Sequence, residues 1–580
     1  MDGKLRQRWA LAVIGAVAGA LLCGLIEAVD RDLLSERLAL VAMAWEVTLA
    51  GALLVMAGPM GLRRAVLASL GLAVAVAALV WAVSLRYAEA GEVFDAPLSA
   101  MAVLIVATLP IPFLISRAGP GWRHYPTLFL EAWTIVVRSA AAWAFTGVVW
   151  LVIFLSDALL SIVGVEIIQD LLEIGAVPFV ITGAVLGLAM AVVHEFAELL
   201  SPYLVLRLFR LLLPVVLVVM LVFLAVLPFR GLTGLFNGLS PALVLLAMVA
   251  AGIALVSIAV DQTDAEATGS PFLRLTAQGQ ALILPVMAGF AGWAVWMRVV
   301  QYGWTPERLF VALLAGLALT YGVIYAGSVL LRGPWMERIR QGNLRMALAV
   351  IALATLWLTP VLNAERLSAQ DQLARFEAGV TSVEALDVTT IGGWGLAGDR
   401  AIAALEVRAK EPGGEALAAH LVDPWAMPVV ALEEQAAQLA ALVAALPLQP
   451  ASATATATRD TLLAALLDSE VVSWTEACLR RLPDGRAGCV MVVADLLPLL
   501  PGEEAIVILN QEGDYVQTLG LYLLDDGSLA QRQVLRPDGS YPDSTGARAL
   551  LGEFQAALPV STAAMINQVG SGEAGLLFLP

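Results

Sequence analysis

The stretch His194-Glu195-Phe196-Ala197-Glu198 stands one ligand short of a zinc-protease helix. Such a helix carries two histidines four positions apart, on one face around the metal, with a glutamate between them as general base. Glu198 occupies the place of the second histidine, so a polar end to an apolar helix is the reading the residues support. The other two histidines, His124 and His420, are far away in the chain and give no metal cluster. No Gly-x-Ser-x-Gly elbow occurs. Lysine is present only at Lys4 and Lys410, so no Gly-x-x-x-x-Gly-Lys-Ser/Thr loop exists and a P-loop ATPase is excluded. No catalytic residue, metal site or cofactor is assigned, and the expectation leans away from an enzyme.

Two charges are costly where they stand. Glu46 and Arg138 each fall inside a long apolar run, and a charge near the centre of a membrane helix costs a few kcal/mol unless it meets a partner or a wet cavity. At 1.5 Å per residue they lie roughly 12 and 16 Å below the same edge of a ~30 Å core. They are expected to pair, as a structural ion pair or as a substrate or proton site. A second constellation is Arg298-Val299-Val300-Gln301-Tyr302-Gly303-Trp304-Thr305-Pro306-Glu307-Arg308. Tyr302 and Trp304 read as interfacial aromatics, Thr305 as a helix N-cap, Pro306 as the first helical residue and Glu307 as a favourable first-turn acid. That account leaves Arg298 and Arg308 without a role.

These residues must be positioned by membrane helices. Eleven apolar stretches, at 9–28, 38–60, 65–86, 98–116, 129–155, 175–193, 208–228, 240–260, 279–300, 308–331 and 344–362, are each long enough to cross the hydrocarbon as a helix. The runs are continuous rather than alternating, which favours helices over a barrel. Cys23 in the first stretch follows the bulky Leu22 and is read as a core cysteine, and no small-x-small cleavage pattern follows, so this stretch is expected to stay as a signal anchor. With the N-terminus inside, cytoplasmic segments hold 14 Lys and Arg and the opposite loops 6. That asymmetry sets the orientation, and an odd number of spans places the C-terminal part outside the cytoplasm. Residues 156–174 place Glu166, Asp170 and Glu173 on one side and Ile167, Ile168, Leu171 and Leu172 on the other, as an amphipathic helix at the outer interface would.

The expected fold is therefore an α-helical polytopic bundle over 1–362, followed by a soluble extracytoplasmic α+β domain with an antiparallel sheet over 363–580. The net charge of −16 resides in that tail, with 12 Lys and Arg against 28 Asp and Glu, whereas residues 1–362 balance 21 against 21. An acidic domain repels phosphate backbones, so nucleic acid is excluded as a partner. Residues 431–446 read as a helix, 448–458 as a Pro/Ala/Thr linker, and 459–468 as a short helix. Strand-like runs follow near 470–482, 487–494, 504–510, 515–524 and 529–535, separated by turn residues at Pro483-Asp484-Gly485, Asp525-Asp526-Gly527 and Pro537-Asp538-Gly539. Cys478 and Cys489 flank the first of these turns and are expected to form a disulfide across a hairpin.

Tyr-Gly-Trp-Thr-Pro-x-Arg at 302–308, together with Leu284-Pro285 in the preceding span, Tyr321 and Tyr325 in the next, and Asn343 before the last, resembles the bacterial membrane-protein family named domain of unknown function 4153. Leu227-Pro228-Phe229-Arg230-Gly231-Leu232 and Ser368-Ala369-Gln370-Asp371-Gln372-Leu373 fit the same pattern. The resemblance covers most of the membrane part and implies a bacterial inner-membrane protein, with no activity to carry over. The leading expectation is a non-enzymatic protein of envelope sensing, assembly or partner recruitment. The alternatives are a transporter or lipid-handling protein using Glu46, Arg138 and the Tyr302–Arg308 loop, or a membrane enzyme acting on lipid-linked substrates. Membrane lipids and an envelope protein are the expected partners.

Overall fold

A computed structural model of the protein describes residues 2–94, 97–195, 202–230, 241–422, 429–482, 484–497, 502–511, 515–524, 528–536, 540–557, 559–560, 568–569 and 576–577. Backbone N–H and C=O groups have no partner in hydrocarbon, so long apolar runs close their hydrogen bonds inside helices. The first part of the chain does this in α1 (Asp2–Asp30), α2 (Glu36–Met60), α3 (Leu62–Ser84), α4 (Pro97–Thr108), α5 (Ile111–Arg117), α6 (Tyr125–Ile162), α7 (Ile167–Glu173), α8 (Ala176–Glu195), α9 (Pro202–Arg230), α10 (Pro241–Val260), α11 (Pro271–Tyr302), α12 (Pro306–Leu330) and α13 (Trp335–Leu358). Eleven segments among the described residues are long and apolar enough to cross a membrane, with α4 and α5 sharing one of them across a break before Pro110. A proline there withholds one N–H from the ladder.

The bundle has two main cores. One gathers Met56, Val76, Val80, Val106, Ile115 and Leu358 from α2, α3, α4, α5 and α13. The other gathers Met220, Val249, Leu284, Met287, Tyr325 and Ile339 from α9 to α13. Helix α1 packs along α8 through small residues on both. A Cβ at Gly15 would collide with the Gly183 carbonyl, and one at Gly19 with the Phe179 carbonyl. Gly15-x-x-x-Gly19 and Gly183-x-x-x-Gly187 thus bring two backbones into contact, the close approach that small-xxx-small spacing permits in membranes.

The connector expected as one amphipathic helix over 156–174 is built differently. Helix α6 continues to Ile162, the chain breaks at Gly164 with φ 75°, and only Ile167–Glu173 forms α7. The apolar α6 runs on past the acidic Asp157, and Gly164 then separates it from the acidic Glu166, Asp170 and Glu173, so the charge pattern begins only after the break.

Beyond the last span, α14 (Ala364–Glu377), α15 (Val388–Gly392), α16 (Gly395–Ala409) and α17 (Glu415–Val422) share a small core around Leu386, Ile391, Trp394, Ala401 and Leu405. The compact units of the chain are Met1–Pro424 and Trp425–Pro580. Residues 363–424, which the charge balance assigns to the tail, therefore belong to the compact unit that holds the bundle.

The second unit contains α18 (Val429–Ala445), β1 (Leu448–Gln449), α19 (Ala453–Ala464), α20 (Asp468–Leu479), β2 (Cys489–Ala494), β3 (Glu504–Asn510), β4 (Val516–Leu523), β5 (Leu529–Gln533), α21 (Ser544–Ala556), β6 (Gln568–Val569) and β7 (Leu576–Leu577). The main sheet has the order β1-β2-β3-β4-β5, antiparallel from β2 to β5, with β1 added parallel to β2. Alternation along the strands sends Met491, Val493, Val507 and Leu509 to one face, under Leu442 of α18, Leu462 of α19 and Trp474 of α20. Val490, Ile508 and Val516 go to the other face, under Ala547 and Leu551 of α21.

Two local expectations for this unit are corrected. The stretch 448–458 is not a linker: Leu448–Gln449 pairs with β2, and the Ser452 hydroxyl caps α19 by accepting from the Ala455 N–H at 3.1 Å. Residues 470–482 are not a strand, because Asp468–Leu479 is helical and buries Val471, Trp474 and Ala477 at helical spacing. The turn residues at 525–527 and 537–539, and Pro483, lie outside the described residues, as do Gly231, Leu232, Phe196, Ala197 and Glu198.

Candidate functional site

The loops after α3, α11 and α13 meet at one end of the bundle. Gly303 ends α11 with φ 75°, and a Cβ there would press on Asp371, Gln372 and Arg375 of α14. The loop then enters α12 as its sequence suggests: the Thr305 hydroxyl accepts from the Arg308 N–H at 3.2 Å, with Pro306 first in the helix.

The last carbonyls of a helix lack partners within it, and here they are supplied from α14 and α12. Arg375 Nη2 donates to Gln301 O at 3.0 Å and Val300 O at 3.3 Å. Gln372 Nε2 donates to Tyr302 O and Trp304 O, both at 3.0 Å. Arg308 Nη1 donates to Gly303 O at 2.8 Å and Tyr302 O at 3.3 Å. The Trp304 N–H donates to Asp371 Oδ2 at 2.7 Å. The guanidinium of Arg298 lies 5.6 Å from the centre of the Tyr302 ring and that of Arg308 5.4 Å, within cation–π range. The positive charge that had no role in the sequence is thus absorbed by the negative end of the α11 dipole and by an aromatic face.

A second contact at this end went unseen in the sequence. Arg86, just past α3, donates through Nη1 to Glu365 Oε2 at 2.9 Å, and through Nη2 to Thr359 O at 2.8 Å, Leu362 O at 3.3 Å and Trp357 O. The Tyr87 hydroxyl donates to Glu365 Oε1 at 2.9 Å. Burial and the Glu365 carboxylate push the Tyr87 phenol well above its usual value, so it stays a donor. Gly395, with φ 56°, lets α16 come against Tyr87, and the Leu396 N–H donates to Arg86 O at 2.9 Å. An arginine immediately after an apolar run was the available signal, but Glu89 and Glu92 close by in the sequence gave it nearer acids to be matched with.

Toward the other end, Tyr325 and Asn343 meet. The Tyr325 hydroxyl donates to Asn343 Oδ1 at 2.5 Å and sits 2.7 Å from Ser257 Oγ, while Asn343 Nδ2 donates to Tyr125 Oη at 3.0 Å and Ser257 Oγ at 3.1 Å. Below this knot Arg210 pairs with Asp261, and Arg340 pairs with Asp264 and donates to Asp261 O at 3.2 Å. Four helices, α6, α10, α12 and α13, are thereby joined through polar atoms that would otherwise be orphaned.

Glu46 and Arg138 are not joined. Arg138 Nη1 lies 2.9 Å from His194 Nδ1, and no ion pair links Arg138 to Glu46 among the described residues. The two lie at different heights: the His194 ring that Arg138 meets sits on Gly58, about 18 Å along α2 from Glu46, and α6 presents Ser139 and Trp143 on the Glu46 side. A Cβ at Gly58 would lie 2.6 Å from the His194 ring, so that ring seats on the α2 backbone. No group of metal-ligating side chains occurs among the described residues. In the second unit, Cys478 at the end of α20 and Cys489 at the start of β2 are disulfide-bonded with Cα atoms 4.7 Å apart, tying a helix to a strand.

Comparison with protein-family models found no matching family, and comparisons with curated proteins and with solved structures found no match either.

Proposed function

We propose that the protein is a non-enzymatic scaffold of the bacterial inner membrane that carries a soluble periplasmic domain for envelope sensing, assembly or recruitment of a protein partner. The observation that carries this reading is the fastening of α14 to two inter-helix loops, by Arg86 and Tyr87 on Glu365 and by Asp371, Gln372 and Arg375 on the 300–304 backbone. A buried ion pair is weak evidence of stability and is best understood where one arrangement must be fixed. Here it fixes the path of the chain as it leaves the last span. The Lys/Arg distribution supports the orientation, and a disulfide in the second unit fits an oxidising compartment. The resemblance of 302–308, Tyr325 and Asn343 to the domain of unknown function 4153 family supports the same membrane, and the segments that carry it, 302–308 and 368–373, touch one another through Asp371 and Gln372.

The test is photo-cross-linking in intact cells from an exposed position of the second unit, Tyr515 or Tyr541. A discrete protein adduct supports recruitment, and adducts to lipid alone argue against it. A second reading, a transporter or lipid-handling protein, is favoured by one observation, the cavity beside Glu46.

A further inference from the structure

Helices α1, α2, α6 and α8 line a cavity of about 540 Å3 that opens on one side to the surface of the bundle, within the range of small-molecule sites. Leu54, Met190, Phe179 and the indole of Trp143 make its wall apolar and aromatic, and Glu46 brings a carboxyl to it. Glu46 stands in the middle of its span, about 15 Å along the helix from Glu36. Only 6% of the residue is exposed, and no hydrogen bond or ion pair satisfies its carboxyl among the described residues. The Thr182 hydroxyl, also in the wall, is committed, donating to Pro178 O at 2.7 Å and accepting from Trp150 Nε1 at 3.0 Å.

The chemistry of this wall selects its occupant. No Lys, Arg or His lines the cavity, so nothing there offsets a phosphate or a carboxylate. A buried carboxyl in hydrocarbon normally faces a partner, and the aromatic faces of Trp143 and Phe179 attract cations, more strongly where water is excluded. A headgroup held at the membrane surface does not reach the middle of the span, so the ligand must be dissolved in the hydrocarbon with its charge.

We propose that this cavity binds a lipophilic organic cation, an ammonium or phosphonium whose apolar substituents fill the wall and whose charge pairs with Glu46. The inference deepens the lipid-handling reading and is independent of the scaffold role.

The test is equilibrium binding of radiolabelled tetraphenylphosphonium to the full-length protein in nanodiscs of zwitterionic lipid. Saturable binding to one site is expected, weakened about tenfold or more by Glu46→Gln and partly retained by Glu46→Asp. A Cβ at Gly51, on the same wall, meets nothing within 4 Å, so Gly51→Leu should fill the cavity and abolish binding while elution and thermal unfolding stay as in the wild type. Should Glu46→Gln fail to fold, Gly51→Leu decides the matter. Only non-saturable partition into lipid, or equal binding by the wild type and Gly51→Leu, overturns the proposal. If the wild type instead yields a stoichiometric neutral lipid by mass spectrometry that Gly51→Leu lacks, the cation falls and the lipid-handling reading stands.

Discussion

Arg86 and Glu365 stand 279 positions apart in the sequence and 2.9 Å apart in space, with 4% and 7% of their side chains exposed. Removing one partner of a buried pair leaves an uncompensated charge, which costs roughly 3–5 kcal/mol. Arg86→Gln also strips a donor from the Trp357 carbonyl at the end of α13 and from those of Thr359 and Leu362 in the segment that follows. Thermal unfolding of the purified protein should therefore fall sharply for Arg86→Gln and for Glu365→Gln, and the double variant should lose less than the sum of the two. Additive losses would show that the pair is not a unit.

Glu46 and Arg138 should behave in the opposite way. Arg138 is held beside His194, and Glu46 faces a separate cavity. Replacing each by Leu should give folded yields whose losses add within about 0.5 kcal/mol. A coupling well above that would place the two charges in contact.

Docking of α14 on the 300–304 backbone rests on three side chains. Asp371→Ala leaves the Trp304 N–H without its acceptor, and Gln372→Ala takes a donor from Tyr302 O, which keeps Arg308 Nη1, and from Trp304 O, each at a cost of about 1–3 kcal/mol. Limited proteolysis within 364–377 should accelerate for both variants. Arg298→Gln should change it little, because Arg298 is exposed and its contact with Tyr302 is a cation–π interaction of about 0.5–1 kcal/mol. Faster cleavage in Arg298→Gln than in Asp371→Ala would assign the docking to charge.

Topology is checked directly. Alkaline phosphatase fused after residue 580 is expected to be active if the proposed orientation holds, in which the end of the bundle shared by the loops after α3, α11 and α13 lies outside the cytoplasm. Activity of a cytoplasm-restricted fluorescent reporter at the same junction would reverse the assignment. In the same compartment Cys478 and Cys489 should resist alkylation until reduced, and Cys489→Ser should cost the second unit at most about 3 kcal/mol for so short a loop.

The bundle was legible because hydrocarbon imposes a simple rule on the backbone, and each of the eleven apolar stretches overlaps a span of the structure. Thr305, Pro306 and Glu307 were readable for a related reason: caps are local. Partners were not. Arg86 finds Glu365, and Asn343 finds Tyr125, through folding of distant segments onto one another, which hydrophobic periodicity does not encode. Heights counted from the ends of the apolar stretches brought Glu46 and Arg138 together on paper only, because they ignore how far each helix is shifted along its neighbours: Arg138 meets His194 beside Gly58, well along α2 from Glu46. In the second unit, Asp468–Leu479 carries β-branched and aromatic residues that mimic a strand over a short window, and tertiary burial of one helical face decided otherwise.

Gly15 and Gly19 touch a helix that the ribosome completes only some 170 residues later. Until α8 is made, the glycine face of α1 has nothing to match its exposed backbone ridge, and lipid chains must occupy it. Assembly of this bundle therefore includes a late exchange of lipid for α8. Enlarging either glycine would block that exchange after insertion is complete, producing a protein with every span in place and its first helix adrift.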